Sequence, residues 1–224
     1  MANPFARLTK SLIAPAITLL AAGTAFAGTG LAQPATTLPF ETHAAFFSRE
    51  TRQPKPLDPQ VFVRAPGAPA AVGPQGIRHV AGYRNALLAD KATLPVFSAD
   101  GRALGFDLGQ WLGARGEVVL MPLPSGGEKV IAVFAGLKPG GVYSLFENHF
   151  DQKPIGFTPL DGRGADNNFV AGKDGRGAIT LAAPHALTSV NAVLLVYHAD
   201  GKSHGVSRGA IGVTAQHQLI AKLP

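Results

Sequence analysis

Glycine and proline fill 27 and 18 of the 224 positions, about one residue in five against an average near 12%. Inside helices each would cost about 1 to 3 kcal/mol, whereas at turns between short strands they cost little. This punctuation excludes long helical bundles. It stays below the roughly 25 to 30% of low-complexity chains, and a 46% hydrophobic content is enough to bury a core, so collagen-like and wholly disordered chains are excluded too. The expected fold is all-β: an antiparallel β-sandwich of Ig-like or Greek-key type with about seven or eight strands, preceded by a Pro/Ala-rich N-terminal extension.

Residues 1–27 have the three parts of a secretory signal. Arg7 and Lys10 precede the apolar stretch from Ser11 to Ala22, and Ala25-Phe-Ala27 supplies an A-x-A end. Cleavage is expected after Ala27 or, at Gly30-Leu-Ala32, after Ala32. The apolar stretch is well short of the roughly 20 residues that span a bilayer, so the processed chain is expected not to be transmembrane, and its location periplasmic or extracellular. No cysteine is present, which removes disulfides, thiolate metal sites and cysteine nucleophiles. The net charge of +6 is spread over separated positions without a basic run or interleaved aromatics, which excludes nucleic acid as a partner.

Residues 33–92 read as an extended leader. Pro34, Pro39, Pro54, Pro56, Pro59, Pro66, Pro69 and Pro74 interrupt regular elements, while Phe40, Phe46, Phe47 and Phe62 favour partial docking on the domain. Residues 93–224 form the expected sandwich domain. There Glu117–Leu123, Lys129–Ala135 and Val142–Phe150 are apolar runs separated by turn residues. Asn168–Ala171 and Ala178–Ala182 flank Asp174-Gly175 as a hairpin. Ala192–His198 lacks polar alternation and should be a central strand covered on both faces, whereas Val213–Ile220 alternates and reads as an edge.

Two constellations carry potential chemistry. In Tyr197-His-Ala-Asp-Gly-Lys-Ser-His-Gly205 a turn can fold His198 and His204 together beside Asp200, and imidazole with a carboxylate suits Zn or Cu. Glu147 and His149 lie two apart on one strand and so share a face. If that face met the loop, His149, His198 and His204 would form one site; otherwise the pair is a polar rim. No serine lies in a G-x-S-x-G elbow, no phosphate-binding glycine loop occurs, and no loop has EF-hand ligand order. No cofactor is implied beyond Zn or Cu at the histidine loop. Trp111, Tyr83, Tyr143 and Tyr197 would stack a carbohydrate only if two or more shared an exposed face.

Leu137-Lys-Pro-Gly-Gly-Val-Tyr143 and Tyr197-His-Ala-Asp-Gly201 resemble the paired L-x-P-x-G-V-Y and Y-H-x-D-G segments of a family of uncharacterised exported microbial β-sandwich proteins. The resemblance covers about residues 94–221 and implies a compact sandwich without a known activity. More distantly, Gly136-Leu-Lys-Pro-Gly140 is similar to the turn before a long strand in Cu/Zn superoxide dismutase and chordin-type sandwiches. That family's copper-binding histidines are replaced here by Val142, Tyr143, Ser144, Leu145 and Phe146, which argues against dismutase chemistry. These observations favour a binding or structural protein over an enzyme, with an envelope component or a small ligand as partner. Glu147, His149, His198, Asp200 and His204 are the candidate ligand-binding residues.

Overall fold

The computed structural model describes residues 34–224; the signal segment and both of its cleavage points lie outside them. In chain order, the first half holds β1 (Thr36–Pro39), β2 (Glu41–Thr42), α1 (His43–Glu50), β3 (Leu57–Arg64), β4 (Ala71–Val72), β5 (Arg78–His79), β6 (Tyr83–Leu87), β7 (Pro95–Phe97) and β8 (Ala103–Asp107). Then follow α2 (Leu108–Leu112), β9 (Arg115–Pro122), β10 (Glu128–Ala135), β11 (Val142–His149), β12 (Gly156–Pro159), β13 (Asn168–Val170), β14 (Gly177–Ala183), β15 (Asn191–His198) and β16 (Ala215–Lys222). Of these sixteen strands, residues 93–224 hold ten where seven or eight are expected, β7, β12 and β13 being only three or four residues long.

The fold is all-β and its paired strands are antiparallel. One sheet runs β1-β9-β10-β14; the other runs β12-β11-β15-β16-β2, with β13 also on β11. Between them Val118, Leu120, Val130 and Phe134 of the first sheet meet Tyr143, Leu145, Val193, Leu195 and Tyr197 of the second in one buried cluster. Each such side chain contributes about 1.5 to 3 kcal/mol by leaving water. A third sheet, β6-β3-β7-β8, adds Val61, Val63, Val96 and Leu104 to the same core.

β15 is buried at every position, as its unbroken apolar run predicts. Its second face, Ala192, Leu194 and Val196, packs with Phe46 of α1 and Phe146 of β11. Thr42 caps α1 by accepting from the Ala45 N–H at 3.3 Å.

Two expectations are corrected, those for β16 and for β13 with β14. The docking expected of residues 33–92 extends to strand pairing: β1 pairs β9, β2 pairs β16, and Phe40, Phe46 and Phe62 are buried. The prolines are accommodated locally. Pro39 ends an edge strand, and Pro59 lies between Leu57 and Phe62, where β3 leaves its ladder with β6, so its missing N–H breaks no pairing. β16 is not an edge, because β2 lies on its other side. β13 and β14 form no hairpin ladder. The turn at Gly175 (φ +71) is present, but β13 joins β11 while β14 joins β10, so the chain crosses between sheets there.

Candidate functional site

His198 ends β15, paired with Val142 and Ala215, and the chain then runs through residues 199–214 before β16. Gly201, at φ +73, allows the turn that the Asp-Gly pair predicts, and its N–H donates to the His198 carbonyl at 3.1 Å. The turn brings Asp200 back, and its Oδ2 lies 3.1 Å from His204 Nε2. The His198 and His204 rings are 5.3 Å apart. One ligand atom from each of His198, Asp200 and His204 lies within 4.8 Å of the other two.

His198 is fully buried while Asp200 and His204 are partly exposed. Its Nε2 is 2.8 Å from the buried Ser144 hydroxyl, and its Nδ1 is buried without any partner. With Nε2–H donating to Ser144 Oγ, Nδ1 is left as a bare lone pair. A hydrogen bond at one ring nitrogen fixes the tautomer and turns the other nitrogen's lone pair outward, as in imidazoles that ligate metals. Burial, reinforced by neighbouring His204 and opposed by Asp200, pushes the His198 pKa down to about 4, so the ring is neutral at physiological pH. Neutral imidazole and carboxylate are the donors of Zn and Cu sites. Around a tetrahedral ion with ligands at about 2.0 to 2.1 Å, donor atoms sit roughly 3.4 Å apart, so the partly exposed Asp200 and His204 must draw inward on binding.

The other candidate pair lies elsewhere. Val142 pairs with His198 and His149 with Asn191, so seven residues of strand, about 23 Å, separate His149 from His198. A joint site of His149, His198 and His204 is therefore excluded. Glu147 and His149 do share a face, their side chains 3.5 Å apart, and Glu147 is also 3.0 Å from His185, a residue that sequence reasoning did not single out. Glu147 is almost wholly buried between the two imidazoles, and His149 Nε2 reaches the Thr158 hydroxyl at 2.9 Å. This is a hydrogen-bonded rim where β11 leaves the core.

The aromatic platform is absent. Trp111, Tyr143 and Tyr197 are buried in the core, leaving only the half-buried Tyr83, packed on Phe97.

A third polar group was not foreseen. His217 of β16 and His43 of α1 are buried edge to face, ring centroids 4.8 Å apart, and Arg208 contacts His217. The available signal was Gln216-His-Gln218, a polar triplet inside an otherwise apolar strand.

Comparison with known proteins finds no matching family model, no matching curated protein and no matching solved structure.

Proposed function

We propose that the chain is an exported, non-catalytic binding protein of the periplasm or cell envelope that holds a late first-row divalent cation, Cu²⁺ or Zn²⁺, at His198, Asp200 and His204. The observation that carries this reading is the buried, unpartnered Nδ1 of His198. An orphaned polar atom in a core has a cost, and a metal ion beside a carboxylate and a second imidazole would satisfy it. The 16-residue connection 199–214 supports a role in binding, since long connections inside a compact fold are commonly functional. The positive start, short apolar stretch and A-x-A end of residues 1–27 support export. Among the described residues no helix is long and apolar enough to cross a membrane. The resemblance to exported β-sandwich proteins agrees with this reading.

Calorimetric titration of the purified protein with Zn²⁺ and Cu²⁺, with native mass spectrometry for stoichiometry, tests the site. One ion per chain is expected, with affinity falling at least tenfold in His204→Ala and Asp200→Ala. Failure to take up a stoichiometric ion, or unchanged affinity in both variants, would reject the metal reading.

A further inference from the structure

Arg208 is a half-buried cation without a carboxylate. Among the described residues no Asp or Glu pairs with its guanidinium, and burial alone lowers its pKa to about 10. Its Cζ lies over the Phe157 ring, 3.2 Å from the centroid, and Nη1 is 2.9 Å from His217 Nε2. Desolvating a guanidinium without an anionic partner is costly.

The surrounding hydrogen bonds have the same imbalance. Nε2 of His217 faces Arg208, and Nδ1 faces the Gln60 side-chain amide nitrogen at 3.0 Å. Both neighbours are N–H donors, but a neutral imidazole accepts at only one nitrogen. Turning the Gln60 amide does not cure the mismatch, because its Oε1 already accepts the His217 backbone N–H at 2.6 Å. The group has one donor too many, and an acceptor placed on Arg208 would remove the conflict.

Space for such an acceptor exists. Arg208 and His217 line a cavity of about 430 Å³ whose other walls are chiefly apolar: Ile77, Pro154, Ile155, Phe157 and Ile211. Gln75, also on its wall, sits at φ 60, a left-handed conformation uncommon for a residue with a Cβ, and strain of this kind gathers at ligand sites. One fixed cation at an apolar wall selects a monoanion with a hydrophobic body. A phosphate dianion, strongly hydrated and needing more donors, fits poorly.

We infer that this cavity is a binding site for a small hydrophobic monocarboxylate, its carboxylate on Arg208 and its apolar body against Phe157, Ile155 and Ile211. The site is independent of an ion at His198. When the ligand binds, the guanidinium turns to the carboxylate, and His217 is free to accept from Gln60 at Nδ1.

The test is calorimetric titration of the intact protein with 3-phenylpropionate and octanoate, using 3-phenylpropionamide and inorganic phosphate as controls. A carboxylate should bind at one per chain, with the amide and phosphate at least tenfold weaker. Arg208→Gln should lose at least tenfold in affinity while the ligand-free variant melts at or above the wild-type temperature, because an uncompensated buried cation has gone. A guanidinium with only a structural role would instead lower the melting temperature. If Arg208→Gln does not fold, Ile155→Trp, which fills the cavity and keeps the cation, should abolish binding. No binding by either carboxylate, equal binding of acid and amide, tighter binding of phosphate, or full affinity in the folded Arg208→Gln or the Ile155→Trp protein would overturn the inference.

Discussion

The Trp111 indole N–H donates a 2.8 Å hydrogen bond to Oδ2 of Asp58, and both residues are buried. The other carboxylate oxygen accepts the backbone N–H groups of Gln60 and Val61, where β3 leaves its ladder. One side chain therefore satisfies three donors and ties β3 to α2. Asp58→Ala leaves all three without a partner, at about 1 to 3 kcal/mol each, so a loss of about 3 kcal/mol or more is expected. Urea unfolding followed by the fluorescence of Trp111, the chain's single tryptophan, measures it. Wild-type stability would show that these groups find water instead.

A chain beginning at residue 93 would lack β1, β2, α1, β3 and β6. It would expose the β9 edge, the second edge of β16, and the face of β15 that Phe46 covers. Such a fragment should show no cooperative unfolding transition, whereas residues 34–224 should show one. Circular dichroism during heating separates the outcomes; a sharp transition in the shorter chain would make residues 34–92 dispensable.

Acid should weaken the fold from about pH 6.5 downward. Burial lowers the His43 pKa to about 3 and takes that of His217 well below its usual 6.5, in each case helped by nearby charge. The unfolded chain takes up these two protons below about pH 6.5 and the native state does not, so their contribution is present above pH 6.5 and declines as pH falls towards the folded values. Asp58 opposes them. Burial raises its pKa to about 6, so its contribution is present below its ordinary 3.8 and is lost as pH rises through 6. His198, its pKa held at about 4, adds a third proton in the same direction, so between pH 6 and 4 about two net protons are taken up on unfolding, and stability should drop by about 2 to 3 kcal/mol per pH unit. Urea midpoints at pH 7, 6 and 5 should fall in that order, and His217→Gln should flatten the series. A flat wild-type series would contradict this account.

Ser144 touches no ion in the proposed site but fixes the ring that would. Ser144→Ala is expected to weaken Zn²⁺ or Cu²⁺ binding roughly 10 to 100-fold and, by leaving the buried Nε2–H of His198 without a partner, to cost about 1 to 3 kcal/mol of stability. Equal affinity in calorimetry would remove the hydroxyl from the site's design.

Gly164 offers a test from the opposite loop. A Cβ there would overlap the carbonyl carbon of Gly205, and its φ of +74 disfavours any side chain. Gly164→Ala should push the 203–206 segment away and carry His204 from Asp200, lowering metal affinity at least tenfold and stability by about 1 to 3 kcal/mol. An unchanged titration would show that the two loops move apart without disturbing His204.

What could be read from the chain depended on how far apart in sequence the partners lie. β15 announced itself as a central strand because six consecutive apolar or aromatic residues, Ala192 to Tyr197, need no distant information. The loop of His198, Asp200 and His204 was equally local, its closure set by one Asp-Gly turn. β16 was misread as an edge because the strand that covers it, β2, lies more than 170 positions earlier and is two residues long. Proline counts alone hide β3, because Pro59 sits where that strand leaves its ladder with β6. His217 escaped notice because its partners, Gln60 157 positions away and His43 on α1, come from the other end of the chain.

The placement of β16 also sets when the molecule can assemble. It follows every other described strand in the chain, yet it fits between β15 and β2, so the six-stranded sheet cannot close until residues 215–222 have been synthesised. Until then two strands present open edges to any chaperone that grips extended chain.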